Sequence, residues 1–148
     1  MRIEHARRNY REDGLSFVCR DFRDSLDDIG LFDFVWVRFV LEYHRSGAFG
    51  IVEKLNKILK PGGVLCLIDL DHNCLNHYGA PERFVNAINN IMKIVEVNED
   101  FDPYVGRKLF SYLYDLGYED INVKISPHHL IYGEIGEVDE FNFVKKLK

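Results

Sequence analysis

Acidic and imidazole side chains crowd one stretch of this chain, Asp69-Leu70-Asp71-His72-Asn73-Cys74-Leu75-Asn76-His77-Tyr78. Carboxylates and imidazoles exchange protons near neutrality and contact polar substrates. His72-x-Cys74-x-x-His77 brings together zinc-ligand types. Its spacing matches no established ligand set, however, and a fourth ligand is not evident, so no metal is expected. The stretch reads instead as a substrate-facing loop, with Asp71 and His72 as contacts and Tyr78 as a wall. A second group, Glu42-Tyr43-His44, offers an acid, a phenol and an imidazole in succession. A third, Tyr104-Val105-Gly106-Arg107, carries an arginine suited to an anionic acceptor such as a carboxylate. The alternative for Arg107 is a surface salt bridge.

Strand ends must position the first two groups. Leu59-Lys60-Pro61-Gly62-Gly63 stops a helix and turns the chain, because proline cannot continue a helix and glycine lets the backbone reverse. Val64 to Ile68 then runs apolar without alternation, as in a parallel strand covered on both faces. Phe32 to Val37 is a second strand, rich in aromatic and β-branched residues, ending at Arg38. Ala48, Ile51, Val52, Leu55, Ile58 and Leu59 recur at helical spacing between them, completing a strand, helix, strand unit of the kind that builds parallel sheets. In such sheets ligands bind beyond the carboxyl ends of the strands.

The flanking regions follow the same logic. Ile3, Ala6, Arg7 and Tyr10 share a helical face before Gly14, and Leu15 to Cys19 is expected as a short strand ending at Arg20-Asp21. Phe84, Ile88, Ile91, Met92 and Val95 form a helical stripe after Pro81. Asp102 and Pro103 suit the N-cap and first position of a further helix, whose expected buried face is Val105, Leu109, Tyr112, Leu113 and Leu116, with Gly117 at its end. Ile121, Val123 and Ile125 alternate, as do His129, Ile131 and Gly133, which predicts an antiparallel pair closing the sheet.

At 148 residues and 47% hydrophobic content the chain suits one globular domain, residues 1–148, with a core of its own. A net charge of −5 and the lack of a polybasic arm argue against a nucleic-acid partner. No apolar run approaches the roughly 20 residues of a membrane span, and the charged start lacks a signal-peptide core. Three scattered cysteines, Cys19, Cys66 and Cys74, suit reduced thiols in a cytoplasm.

Phe32-Asp33-Phe34-Val35-Trp36-Val37 through Glu42-Tyr43, followed by Leu59-Lys60-Pro61-Gly62-Gly63-Val64-Leu65, resembles class I S-adenosylmethionine-dependent methyltransferases, and more narrowly the group that includes ubiquinone and menaquinone biosynthesis enzymes. The resemblance implies an α/β, Rossmann-like sheet of parallel strands with an antiparallel C-terminal pair. It implies S-adenosylmethionine as cofactor and a small-molecule acceptor. Asp21 and Phe22 resemble the residues that flank adenine, while Arg38 and Phe39 match the strand end that contacts the methionine part. His44 is then the imidazole placed to serve as general base, with Tyr43, Asp71, His72, Tyr78 and Arg107 toward the acceptor. A nucleic-acid methyltransferase is disfavoured by the charge and the absence of an Asn-Pro-Pro-Tyr type motif.

The chain contains no Gly-x-Gly, the loop with which the family holds its cofactor, and it opens on what resembles the helix after the family's second strand. The resemblance thus implies a domain shortened at its N-terminus, lacking the first two strands. Its fourth strand, Phe34 to Val37, would pair with Phe17 to Cys19 in a rearranged sheet or meet another chain, either in a homo-oligomer or as a second polypeptide supplying the missing strands. The competing expectation is a non-catalytic interaction domain that associates through that edge.

Overall fold

The computed structural model of the chain describes residues 2–72 and 78–126, with 134, 136, 137, 140, 141 and 144. Strand β1 (Phe32–Arg38), helix α2 (Ala48–Lys57) and strand β2 (Leu59–Ile68) form the centre, preceded by helix α1 (Arg2–Asn9) and followed by helices α3 (Glu82–Asn98) and α4 (Leu109–Asp115). β1 and β2 pair in parallel as a two-stranded sheet. The expected Pro-Gly-Gly turn is absorbed into the strand as a bulge. Phe32 lies opposite Leu59 and Phe34 opposite Val64, so the residues between them loop out. Gly62 takes φ +76° there, and a Cβ on Gly63 would come within 2.9 Å of the Lys60 carbonyl oxygen and 3.1 Å of that of Asp33. A Lys60–Asp33 ion pair of 2.8 Å spans the bulge.

Register assigns the two faces of the sheet opposite fates. Val35 lies across from Leu65 and Val37 from Leu67, and these four pack with Ala48, Ile51, Val52 and Leu55 of α2. Those α2 residues recur every three or four positions, placing them on one helical stripe. Leu26, Leu41, Ile58 and Val105 complete this core, with Leu109, Tyr112, Leu113 and Leu116 of the α4 region against it. Phe49 and Tyr112 meet edge to face at 5.6 Å. On the other face Phe34, Trp36, Val64 and Ile68 are exposed, so the expectation that β2 is buried on both faces is corrected.

Leu15 to Cys19 forms no strand and does not pair with Phe34 to Val37. A strand exists only where a neighbour takes its backbone groups. Here the Phe17 carbonyl accepts from the Arg7 guanidinium instead, at 2.8 and 3.2 Å, and Val18 stands exposed. Ile121 to Ile125 belongs to no strand either, and Val123 and Ile125 are exposed; His129, Ile131 and Gly133, the expected partner strand, lie outside the described residues. The stripe on α3 forms a helix as predicted but buries none of its described residues. The helix is held at its C-terminal end, where Arg45 donates to the Glu96 carbonyl at 2.9 Å and the Asp100 carboxylate accepts the Ser46 amide at 2.7 Å. No helix among the described residues is long and apolar enough to cross a membrane.

Leu55 is 2% exposed and Val97 82%. Leu55→Ala is expected to destabilise the fold by about 2–5 kcal/mol, the cost of a buried cavity, and Val97→Ala by less than about 0.5 kcal/mol. Urea titrations followed by circular dichroism compare the two.

Candidate functional site

Beyond Arg38 the chain turns sharply. Phe39 adopts φ +55°, a left-handed conformation uncommon for a bulky residue, and its amide donates to the Ile68 carbonyl at 2.9 Å. A 3₁₀ turn, Leu41–Tyr43, follows. Its first amides are capped from the neighbouring strand end: the Asp69 carboxylate accepts from Leu41 at 2.8 Å, from Glu42 at 3.3 Å and from Leu70 at 2.9 Å. Burial pushes the Asp69 pKa up, against the opposing pull of these amides. His72, four residues beyond the end of β2, is also left-handed, at φ +59°.

A third segment ties the two strand ends together. The Asp102 amide donates to the Glu42 carbonyl at 2.7 Å, the Gly106 amide to that of Leu70 at 2.9 Å, and the His72 amide to that of Pro103 at 2.8 Å. Glycine is required at 106, since a Cβ would lie 2.8 Å from the Leu70 oxygen and 2.9 Å from the Asp71 Cβ. Asp102 is 2% exposed; one oxygen accepts the Tyr104 amide at 3.0 Å and the other pairs with Lys108. The expected cap is corrected: the 3₁₀ turn Val105–Lys108 that leads into α4 starts after Tyr104 without a side-chain cap, and Asp102 holds the Tyr104 amide ahead of it.

Most of the sequence-predicted residues gather here. His44 ends the 3₁₀ turn, its amide donating to Leu41 at 3.1 Å, and beside it the Ser46 amide and hydroxyl hold the Asp100 carboxyl below its ordinary pKa. Tyr43 packs against Phe101 with centroids 5.7 Å apart, and burial, then the Glu42 charge, pushes its phenol up. His72 stacks obliquely on Tyr104 at 5.5 Å, and its Nδ1 is buried without a hydrogen-bond partner among the described residues. Arg38 lies 4.5 Å over the Phe39 ring.

Two residues are already engaged. Asp71 holds Arg107 in a bidentate pair at 2.8–3.0 Å, with the guanidinium 4.8 Å over Tyr104, so Arg107 takes the salt-bridge alternative. The Asp21 carboxylate is wrapped by Arg23, through the backbone amide at 2.9 Å and the guanidinium at 2.6 Å, and this hydrogen bonding drives its pKa well below the usual carboxylate range. Phe22 packs against the core. Tyr78 stands wholly in solvent, and nothing in the described residues draws its ring to the strand ends. Cys74 and His77 lie outside the described residues, among which no group of histidine, cysteine and acidic side chains is disposed to hold a metal ion. A cleft of about 330 Å³ lined by Arg7, Tyr10, Arg11, Leu15 and Phe17 shares no residue with this site.

Sequence reasoning missed the parts played by Asp69 and Gly106. The signal for Asp69 was its place as the first carboxylate after an apolar strand; for Gly106 there was only a glycine in a turn.

A family model described as a methyltransferase domain matches residues 1–67, from α1 almost to the end of β2. Comparison with curated proteins and with solved structures returned no match.

Asp69 separates its two effects by substitution. Asp69→Ala removes the cap and is expected to cost about 0.5–2 kcal/mol. Asp69→Asn keeps an oxygen acceptor without the buried charge. Because burial raises the folded pKa of Asp69 above its unfolded value, the contribution of this one carboxylate to stability falls as pH rises through about 4. Asp69→Asn is expected to flatten that slope in urea titrations repeated across the acidic range.

Proposed function

We propose that this chain carries out S-adenosylmethionine-dependent methyl transfer to a small-molecule acceptor, at the carboxyl ends of β1 and β2. The observation that carries the reading is the match of residues 1–67 to a methyltransferase domain, over a stretch folded as strand, helix and parallel strand with its polar residues at the strand ends.

The residues there suit part of the cofactor. A bound sulfonium supplies an activated methyl group whose transfer needs no nucleophile from the protein. Its positive charge suits the exposed ring surfaces of Phe39 and Tyr43 and the nearby carboxylates of Glu42 and Asp69. For the methionine and ribose ends the chain offers no Gly-x-Gly. In this reading Arg38 and Phe39 border the cofactor at the end of β1, and Asp21 and Phe22 its adenine. Asp21 takes the exocyclic amine only by sharing an oxygen with, or releasing, Arg23. His44 accepts a proton from a hydroxyl acceptor, and Tyr43, Asp71 and His72 shape the acceptor side, with Arg107 fixing Asp71. Alignment of acceptor and methyl in a water-poor site supplies much of the rate.

The engagement of Asp21 by Arg23 favours a second reading, a methyltransferase-like domain that acts by association.

Calorimetric titration with S-adenosylhomocysteine tests the first. Micromolar binding, worth about 8 kcal/mol, weakened at least tenfold by Asp21→Ala, is the expected outcome. A folded chain that releases no heat supports the second reading.

A further inference from the structure

Directly after α1 the chain doubles back on itself. The Tyr10 amide continues the helix by one bond, donating to the Ala6 carbonyl at 2.9 Å, and the Leu15 amide closes a turn on the Glu12 carbonyl at 3.1 Å. Gly14 permits that turn at φ +83°. The Arg7 guanidinium then reaches the Phe17 carbonyl through two of its nitrogens, which ties the returning segment to the helix. Between them lies the cleft of about 330 Å³. Part of its lining is apolar, from the Tyr10 ring, Leu15 and Phe17, and part is charged, from Arg11, Glu12 and Asp13 beside Arg7. Opposite charges so close in sequence could pair with one another, yet the side chains of Arg11, Glu12 and Asp13 have no hydrogen-bond or ion-pair partner among the described residues. The cleft thus holds both signs of charge uncommitted.

We propose that this cleft binds the zwitterion of a single α-amino acid with an apolar side chain. Two arginines and two carboxylates line it, so the lining is neutral overall, which disfavours a phosphate or nucleotide and suits a ligand that carries both signs. Arg11 takes the α-carboxylate through charge-assisted hydrogen bonds, and Glu12 and Asp13 take the α-ammonium. Leu15, Phe17 and the Tyr10 ring cover the apolar side chain. At about 330 Å³ the cleft lies at the small end of ligand sites, so it suits one residue better than a larger ligand. The charged groups are exposed to solvent, which weakens each contact and puts the dissociation constant on the order of 1 mM. The site shares no residue with the strand ends, so it stands apart from the methyl-transfer reading.

Titration of the full chain with L-leucine, followed through its backbone amide resonances, is the test. The expected result is a saturable shift centred on the amides of Tyr10 to Phe17, with half-saturation in the millimolar range. N-acetyl-L-leucine lacks the ammonium and L-leucinamide the carboxylate, and each is expected to bind threefold or more weakly than leucine, the loss of one exposed charge pair. Inorganic phosphate is expected to leave these amides unmoved. Arg11→Gln is expected to keep its circular dichroism and to weaken leucine binding by the same factor. Glu12→Gln combined with Asp13→Asn repeats the measurement from the ammonium side, and serves alone if Arg11→Gln fails to fold. Shifts that grow linearly without saturating, shifts centred outside this segment, blocked forms that bind as well as leucine, or folded variants that bind it unchanged would each overturn the proposal.

Discussion

The Asp69 carboxylate holds the two strand ends in a fixed relation. A charge at a half-buried position costs desolvation energy, and no lysine or arginine is paired with Asp69 among the described residues; three backbone amides share its charge instead. Burial outweighs their pull, and the pKa of Asp69 lies above its ordinary value. The anchored 3₁₀ turn then presents the Glu42 carbonyl to the Asp102 amide, and the Asp102 side chain fixes Tyr104 and Lys108. Arg107 in turn reaches back to Asp71, two residues beyond Asp69. The circuit closes on itself, so a disturbance at Asp69 reaches the Asp71–Arg107 pair by two routes.

Around this circuit the packing is lopsided. The face of the sheet under α2 carries the core, with Val52 fully buried and Leu55 nearly so, and the aromatic pair Phe49–Tyr112 joins α4 to it. The opposite face has no cover among the described residues, and α3 touches the centre chiefly through Arg45, Ser46 and Asp100. Stability is therefore concentrated on one side, and local opening is easiest in α3 and in the segments before Leu26, which bury little. The strand-end residues lie on the stable side of that division, where geometry useful for chemistry can be maintained.

What the sequence disclosed follows from how local each pattern is. β1, α2 and β2 were readable because alternation, helical spacing and the Pro-Gly-Gly break lie within short windows. The helical region after Asp102-Pro103 was readable for the same reason, although it begins at Val105 and as a 3₁₀ turn. Leu15 to Cys19 and Ile121 to Ile125 have strand-like composition, but composition cannot supply a neighbour, and their ladders are not formed. The stripe on α3 shows that a helix forms, and its burial depends on what lies opposite. At the site, Asp71, His72, Tyr43 and His44 were found because polar residues mark strand ends. The Asp71–Arg107 and Asp21–Arg23 engagements were not, since a carboxylate and an arginine carry no sign in sequence of whether they meet each other or a ligand.

Phe39 and His72, each following the last residues of a strand, are both left-handed, a conformation that costs a non-glycine residue about 1–2 kcal/mol. Glycine would remove that cost at either position. Each strained amide is instead locked by a bond to another element, Phe39 to Ile68 and His72 to Pro103, so the surroundings over-determine the strain. Such strain clusters where side chains must be held ready for a ligand. In this fold it turns Phe39 away from the course of β1 and leaves the buried Nδ1 of His72 without a hydrogen-bond partner among the described residues. Asp120, at φ +54°, adopts the same conformation away from the strand ends, so strain by itself marks tight turns; at Phe39 and His72 it comes with amides bound across to Ile68 and Pro103, which fixes where the two side chains begin.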